Sequence, residues 1–207
     1  MEGPWAGRAL LLVVVWFVSL FVLRSAVQWA RTGSTGMKGF HGRPGSLPWL
    51  AGVAFIVGVA LALVAPVAAL RGWPGGLPLF RLDAVHGFGA ALAVAGNLGA
   101  LAAQMSMGSS WRIGVDEGEH TRLVTSGLFG WMRNPIFSFV ALSLAGLVLL
   151  VPSPLALAAT ITTLAAIEIQ VRVVEEPYLV RTHGPAYLDY ARKVGRFVPG
   201  IGRLRRA

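Results

Sequence analysis

The feature of this sequence that most limits its fold is a set of long apolar segments without charge. Leu47–Leu70 is a run of 24 residues with no charged side chain, and residues 84–111 form another, of 28. A helix needs about 20 mainly apolar residues to cross a bilayer, because hydrocarbon contains no water to satisfy the backbone. Both segments are therefore predicted to be membrane-spanning helices.

The first predicted span covers residues 9–30. Its one charge, Arg24, lies near the C-terminal end, where a long side chain is expected to extend to the membrane interface. A cleaved signal peptide is the alternative. Glu2 is atypical of the basic start of such a peptide, and no clear A-x-A cleavage site follows. We therefore interpret the segment as an anchor.

Residues 134–167 contain no charged side chain for 34 residues, which is too long for one span. Pro152 and Pro154 interrupt the run, and two prolines this close cannot lie inside one unbroken helix. The pattern predicts a helical hairpin with spans over residues 135–151 and 155–174. The chain is thus expected to be an all-α integral membrane protein with five transmembrane helices.

The third span also carries small and polar residues. Asn97 and Gln104 are seven residues apart on one helical face and are expected to hydrogen-bond across the bundle. Small residues allow close helix packing in membranes. Those of this span are Gly87, Gly89, Gly96 and Gly99.

Basic residues predict the orientation of these spans. The chain has 18 Lys and Arg against nine Asp and Glu, a net charge of +9. With the C-terminus inside, 14 basic residues lie in the inner segments, and only Arg8, Arg71 and Arg81 lie outside. Because loops rich in Lys and Arg favour the cytoplasmic side, the N-terminus is expected outside and the C-terminus inside. The membrane is expected to be the plasma membrane or the endoplasmic reticulum. The positive charge then reflects topology and indicates no nucleic-acid partner.

Apart from the loops that simply connect two spans, polar residues gather at two places on the predicted cytoplasmic side. In the loop before span four, Asn134 and Pro135 are typical of a helix start. Free N–H groups there, with Arg133, are suited to bind an anion. A simple helix cap is the alternative interpretation.

The second polar region is the exit of span five. Glu168, Arg172 and Glu176 are spaced by four, on one helical stripe, which suits either a functional site or a self-neutralising helix end. Glu175 and Glu176 together would attract a cationic ligand such as an ammonium or sulfonium group, although a solvated turn before Pro177 is the alternative. An amphipathic helix on the membrane face is predicted to follow, interrupted at Gly184.

Two motifs in series give the chain a resemblance to a known family. Residues 123–129, LVTSGLF, and 133–137, RNPIF, resemble the LVTxGxY…RHPxY pattern of isoprenylcysteine carboxyl methyltransferases. The Glu175–Glu176 pair, followed by Gly184, Tyr187, Tyr190 and Pro199, resembles the second pattern of that family.

The resemblance implies an S-adenosylmethionine-dependent membrane methyltransferase. Its cofactor site would be formed by the cytoplasmic loop, the glutamates and the C-terminal amphipathic helix. Arg172 and Glu176 are assigned to catalysis, and no metal is predicted. The cofactor-binding residues are predicted to be Arg122, Leu123, Val124, Phe129, Arg133, Asn134, Pro135, Ile136, Phe137 and Glu175.

The chain departs from the family pattern at several positions. Asn134 replaces the motif histidine, and Phe129 and Phe137 replace tyrosines. His120 lies one residue further from its leucine than the family places it. These differences leave the identity of the acceptor open.

The sequence therefore predicts two regions. Residues 1–110 form a three-span membrane region, and residues 111–207 form a methyltransferase-like region. The expected reaction is methyl transfer to a lipid-like or lipidated acceptor in the bilayer, with a carboxylate as one candidate group. A sterol-type membrane reductase that uses NADPH and a non-catalytic membrane subunit are the alternatives.

Overall fold

The computed structural model describes residues 3–37, 39, 41–72, 82–114 and 122–204, and these residues form helices and turns without a β-strand. Two π-helical turns, Val18–Leu23 and Gln170–Glu175, join consecutive helices. The helices are α1 (Gly3–Phe17), α2 (Arg24–Thr32), α3 (Leu47–Leu70), α4 (Asp83–Ser106), α5 (Pro135–Leu150), α6 (Pro154–Ile169), α7 (Glu176–His183) and α8 (Pro185–Lys193).

Four helical segments are long and apolar enough to cross a membrane: Pro4–Thr32, Leu47–Leu70, Asp83–Ser106 and Pro154–His183. Helix α5 is also apolar but has only 16 residues. At about 1.5 Å per residue it is roughly 24 Å long, against a hydrocarbon core of about 30 Å. The all-α membrane architecture is thus confirmed, with four candidate crossings, and the fifth stays a prediction.

Helices α4 and α5 lie antiparallel and approach closely along a face of small residues. A Cβ atom added at Gly96 would lie 2.6 Å from both Phe139 O and Ser143 N. Gly89 and Gly99 also face α5 at similarly short range, whereas Gly87 has open space around it. The predicted close packing is confirmed at three of the four glycines of span three.

Polar side chains join α4 to the first helical segment. Ser19 Oγ donates to Asn97 Oδ1 at 2.9 Å, and Gln104 Nε2 donates to Leu20 O at 3.3 Å. The predicted hydrogen bonds across the bundle are therefore present. Near the start of α4, His86 Nδ1 lies 2.9 Å from Leu149 O, so this end of α4 meets the end of α5.

The prediction that Arg24 extends to the membrane interface is wrong. Its side chain is fully buried. It donates to Gly108 O at 2.7 Å and Gln28 Oε1 at 3.1 Å. The π-helical turn before it holds an extra residue, which rotates the following residues around the axis. A backbone carbonyl just after α4, Gly108 O, and the side-chain oxygen of Gln28 supply the acceptors.

We expect Gly96→Ala to destabilise the protein by about 1–3 kcal/mol, because the added methyl group would overlap the α5 backbone. Gly87→Ala, in the same helix, is the matched control. With open space at Gly87, alanine should be neutral or stabilise by up to about 1 kcal/mol through its helix propensity. Thermal unfolding in detergent, followed by tryptophan fluorescence, compares the two variants; equal melting temperatures would contradict the packing.

Candidate active site

A cavity of about 150 Å³ lies at the end of the bundle where α5 begins. Its walls come from the segment that follows α4, the 3₁₀ turn Gly127–Gly130, the start of α5, the Gln170–Glu175 turn and helices α7 and α8. Segments far apart in sequence thus meet around one space. The cavity lies between the loop before α5 and the C-terminal helices, where the predicted polar regions converge.

The structure brings together all ten residues predicted to bind the cofactor. They line the cavity as one group: Arg122, Leu123, Val124, Phe129, Arg133, Asn134, Pro135, Ile136, Phe137 and Glu175. Their assignment to a ligand stays a prediction. Sequence reasoning missed other lining residues, among them Met107, Ser110, Arg112, Tyr178 and His183. No motif marked these five, because their position depends on how α4 and α7 pack.

The two adjacent glutamates have different environments. Glu175 ends the π-helical turn and lines the cavity, with the Gln170 side chain hydrogen-bonded to it and Arg112 as a nearby positive charge. Glu176 begins α7 and accepts two hydrogen bonds from Arg196 and one from Arg133. Only Glu175 therefore faces a space that a ligand could fill.

Glu176 forms the centre of an ion-pair cluster, which we call the Glu176 clasp, made of Arg133, Glu176 and Arg196. Glu176 Oε1 lies 2.7 Å from Arg133 Nη2 and 2.8 Å from Arg196 Nε. The three side chains are 2%, 15% and 14% exposed. The hydrogen bond from Arg196 to Glu176 raises the pKa of the Arg196 guanidinium. The clasp joins the loop before α5 to α7 and to the C-terminal segment.

Arg133 also donates to the backbone of the C-terminal segment. Its Nη1 reaches Ala191 O at 3.0 Å and Val194 O at 2.7 Å, and its Nη2 reaches Gly202 O at 3.2 Å. The buried Nε–H has no hydrogen-bond partner in the described part of the chain. Most of the guanidinium is therefore occupied by protein groups.

Asn134 occupies the predicted N-cap position of α5, but its side chain does not cap the helix. Its Nδ2 instead donates to Arg196 O at 3.2 Å, while its backbone N–H donates to the same oxygen at 3.0 Å. Pairing with the C-terminal segment thus takes the side chain away from the helix. The Asn134 side chain therefore accepts no hydrogen bond from the N–H groups in the first turn of α5, which holds Ile136 and Phe137.

The motif tyrosines attach α8 to the loop before α5. Tyr190 Oη donates to Phe129 O at 2.6 Å, and the Tyr190 ring lies edge-on to Tyr187 with centroids 6.2 Å apart. Burial raises the pKa of Tyr187 to about 12. Both hydroxyls are therefore neutral at physiological pH and act as hydrogen-bonding groups in the cavity wall.

The predicted stripe of Glu168, Arg172 and Glu176 is wrong for its last member. Arg172 pairs with Glu168, and both side chains are about half exposed. The π-helical turn Gln170–Glu175 adds a residue to one turn, which moves Glu176 off this stripe and onto the clasp. Arg172 does not line the cavity. His120 lies outside the described residues.

Two comparisons with known proteins found similarities to this chain. A family model described as phospholipid methyltransferase matches residues 84–186, about half of the chain. The fold is similar to that of a eukaryotic intramembrane Ras methyltransferase, an isoprenylcysteine carboxyl methyltransferase, with a TM-score of 0.61 and 19% sequence identity. The match covers 94% of this chain and 66% of that one. No curated protein sequence matches this chain significantly.

We expect Glu176→Gln to destabilise the protein by about 3–5 kcal/mol, because it leaves two poorly exposed arginines without their carboxylate. Glu168→Gln makes the same chemical change in an exposed pair, which contributes only about 0–1 kcal/mol. Melting temperatures of both variants in detergent test this difference. Similar shifts in the two variants would show that the clasp does not stabilise the fold.

Proposed function

Because this chain belongs to the phospholipid methyltransferase family, we propose that it transfers a methyl group from S-adenosylmethionine to a lipid-like or lipidated acceptor in the bilayer. The family match and the fold bear out the resemblance seen in the motifs. The observation that carries the proposal is the convergence of two distant motifs on one cavity.

The cavity offers suitable partners for the charged groups of S-adenosylmethionine. The Glu175 carboxylate is placed to pair with an ammonium group through a charge-assisted hydrogen bond. The first turn of α5, with Arg133 in the same cavity wall, is suited to a carboxylate. The ring faces of Phe129 and Phe137 would stabilise a sulfonium. The residues present therefore fit this cofactor.

Methyl transfer needs alignment more than acid–base chemistry. Bound S-adenosylmethionine would supply an electrophilic methyl group: an acceptor nucleophile would bond to the methyl carbon as the carbon–sulfur bond breaks, with S-adenosylhomocysteine as the leaving group. Holding the two reactants in line supplies much of the rate enhancement of such a reaction. We propose that the wall formed by Phe129, Asn134 and Glu175 holds the cofactor in the orientation that this alignment needs.

The acceptor would approach from the lipid. Large apolar side chains are exposed on the outer faces of the helices, among them Leu11, Ile56, Leu98 and Ile161, as expected for surfaces in contact with lipid. Arg172, exposed near the end of the α6–α7 segment, is the residue that would orient an acidic head group. Its catalytic role and that of Glu176 remain proposals, and the clasp contacts give Glu176 a supporting position behind the cavity.

Isothermal titration of the detergent-purified protein with S-adenosylhomocysteine tests the cofactor assignment. We expect Glu175→Ala to weaken binding by about 1.5–3 kcal/mol, because the charge-assisted hydrogen bond to the ammonium is lost. Glu168→Ala, which removes a carboxylate outside the cavity, should bind like the unaltered protein.

Absence of binding by the unaltered protein at millimolar ligand would reject the methyltransferase proposal. Thermal stabilisation by NADPH in place of S-adenosylhomocysteine would then favour a reductase. Stabilisation by neither ligand would favour a non-catalytic subunit.

We further propose that α5 completes a fifth crossing. Its first turn lies beside the C-terminal segment, since Ser138 Oγ donates to Phe197 O at 2.6 Å. Its last turn meets His86 near the start of α4, through Leu149 O. Helix α5 therefore extends between the same two ends of the bundle as α4, which is itself long enough to span.

Single cysteines test both the fifth crossing and the orientation, because the chain contains no cysteine of its own. Thr35→Cys and Lys193→Cys should react with a membrane-impermeant maleimide only from the cytoplasmic side. Arg71→Cys and Pro154→Cys should react only from the opposite side. All four positions are exposed. Labelling of Pro154→Cys from the cytoplasmic side would contradict the crossing by α5.

A further inference from the structure

Arg24 is a buried arginine in the first membrane segment, far in sequence from the motifs. Its guanidinium is fully buried, and the partners it has among the described residues are neutral oxygen atoms and one aromatic ring. A buried charge is unfavourable unless its donors are satisfied. An arginine in such a place is therefore expected to serve a purpose beyond packing.

The partners of Arg24 lie in the segment that follows α4. Its Nη2 donates to Gly108 O at 2.7 Å, and its guanidinium carbon lies 4.4 Å from the centre of the Trp111 ring. Gln28, one turn later, receives a hydrogen bond from Arg24 and donates to Ser109 O at 2.8 Å. The positive charge also faces the C-terminal end of α4, where the helix dipole is negative.

The same short segment forms one wall of the candidate active site. Met107, Ser110 and Arg112 line the cavity, whereas Gly108, Ser109 and Trp111 contact Arg24 or Gln28. The two sets of residues are interleaved along six consecutive positions, 107–112. Any displacement of the Arg24 contacts therefore moves the cavity wall.

Further contacts show that the segment has little freedom. Trp111 is 2% exposed, and a Cβ atom added at Gly36 would lie 3.0 Å from its ring. Ile113 N donates to Gly36 O at 2.8 Å. The first helical segment and the connection after it thus hold residues 108–113 from two sides.

We propose that Arg24 is a positioning residue, which sets cofactor affinity by holding the 107–112 wall of the cavity. The proposal rests on the proposed methyltransferase function. It assigns a role in the site to the N-terminal membrane helix, which lies outside residues 84–186 of the family match. The predicted division at residue 110 would then separate two regions that build one site together.

Titration with S-adenosylhomocysteine provides the first test. We expect Arg24→Met to raise the dissociation constant by about tenfold to 100-fold, because a displaced wall would weaken its contacts to the ligand and each tenfold change corresponds to only about 1.4 kcal/mol. Arg24→Lys keeps the positive charge but loses the planar guanidinium, so its dissociation constant should lie between those of Arg24→Met and the unaltered protein. Arg8→Met is the matched control, because Arg8 also lies 4.4 Å from a tryptophan ring, that of Trp5, but outside the cavity.

The dissociation constant separates positioning from folding. A purely structural loss lowers the number of sites per protein and leaves the dissociation constant of the folded molecules unchanged. An Arg24→Met dissociation constant within twofold of the unaltered value would overturn the proposal. If Arg24→Met does not fold, Gln28→Ala, which removes the bond to Ser109 O, is judged by the same criterion.

A spin label provides the second test and does not depend on ligand binding. Ser110→Cys introduces a single cysteine in the wall, and its nitroxide spectrum should become more mobile when combined with Arg24→Met but not with Arg8→Met. If Arg24→Met weakens binding but leaves the nitroxide spectrum unchanged, the proposal that Arg24 acts by holding the cavity wall would be overturned. If the unaltered protein binds no S-adenosylhomocysteine, the proposed function fails, and the spectrum still decides whether Arg24 holds the wall.

Discussion

The arrangement of the candidate site depends on the Glu176 clasp. One carboxylate binds two arginines, one from the loop before α5 and one from the C-terminal segment. Arg133 extends the cluster to three backbone carbonyls near the end of the chain. Because these charges are poorly exposed, they are stable only together. The clasp closes the C-terminal helices over the start of α5, and a cavity remains between them.

Two π-helical turns decide which polar side chains face inward. The turn Val18–Leu23 precedes Arg24, which lies buried against the end of α4. The turn Gln170–Glu175 directs Glu175 to the cavity and Glu176 to the clasp. An extra residue in one helical turn changes the face on which every later residue lies. Such turns are frequent at functional sites. Here one contributes Glu175 to the cavity wall, and the other precedes Arg24, which contacts the segment that forms another wall.

Local sequence features predicted much of the architecture and many of the residues that line the cavity. Proline pairs and charge-free runs placed the starts of α3, α4, α5 and α6 within one residue, because the bilayer requires apolar, internally hydrogen-bonded segments. The predicted start of the first span and the predicted end of the third were about five residues away from the observed helix ends. The motifs identified ten residues that line one cavity. The i, i+4 rule predicted the Glu168–Arg172 pair correctly and failed at Glu176, because it assumes an uninterrupted α-helix. Asn134 does not cap α5, because its side chain is turned to donate from Nδ2 to Arg196 O in a distant segment.

The sequence by itself determined that this chain is an all-helical membrane protein with its polar chemistry near Asn134 and Glu175. Those conclusions follow from hydrophobicity and from motifs, both of which are local properties of the chain. Only the tertiary structure decided that Arg133 binds Glu176, that Arg24 is buried beneath the cavity wall and that Arg172 lies outside it. The partner of a charged side chain depends on which segments meet in space, and that follows from packing rather than spacing.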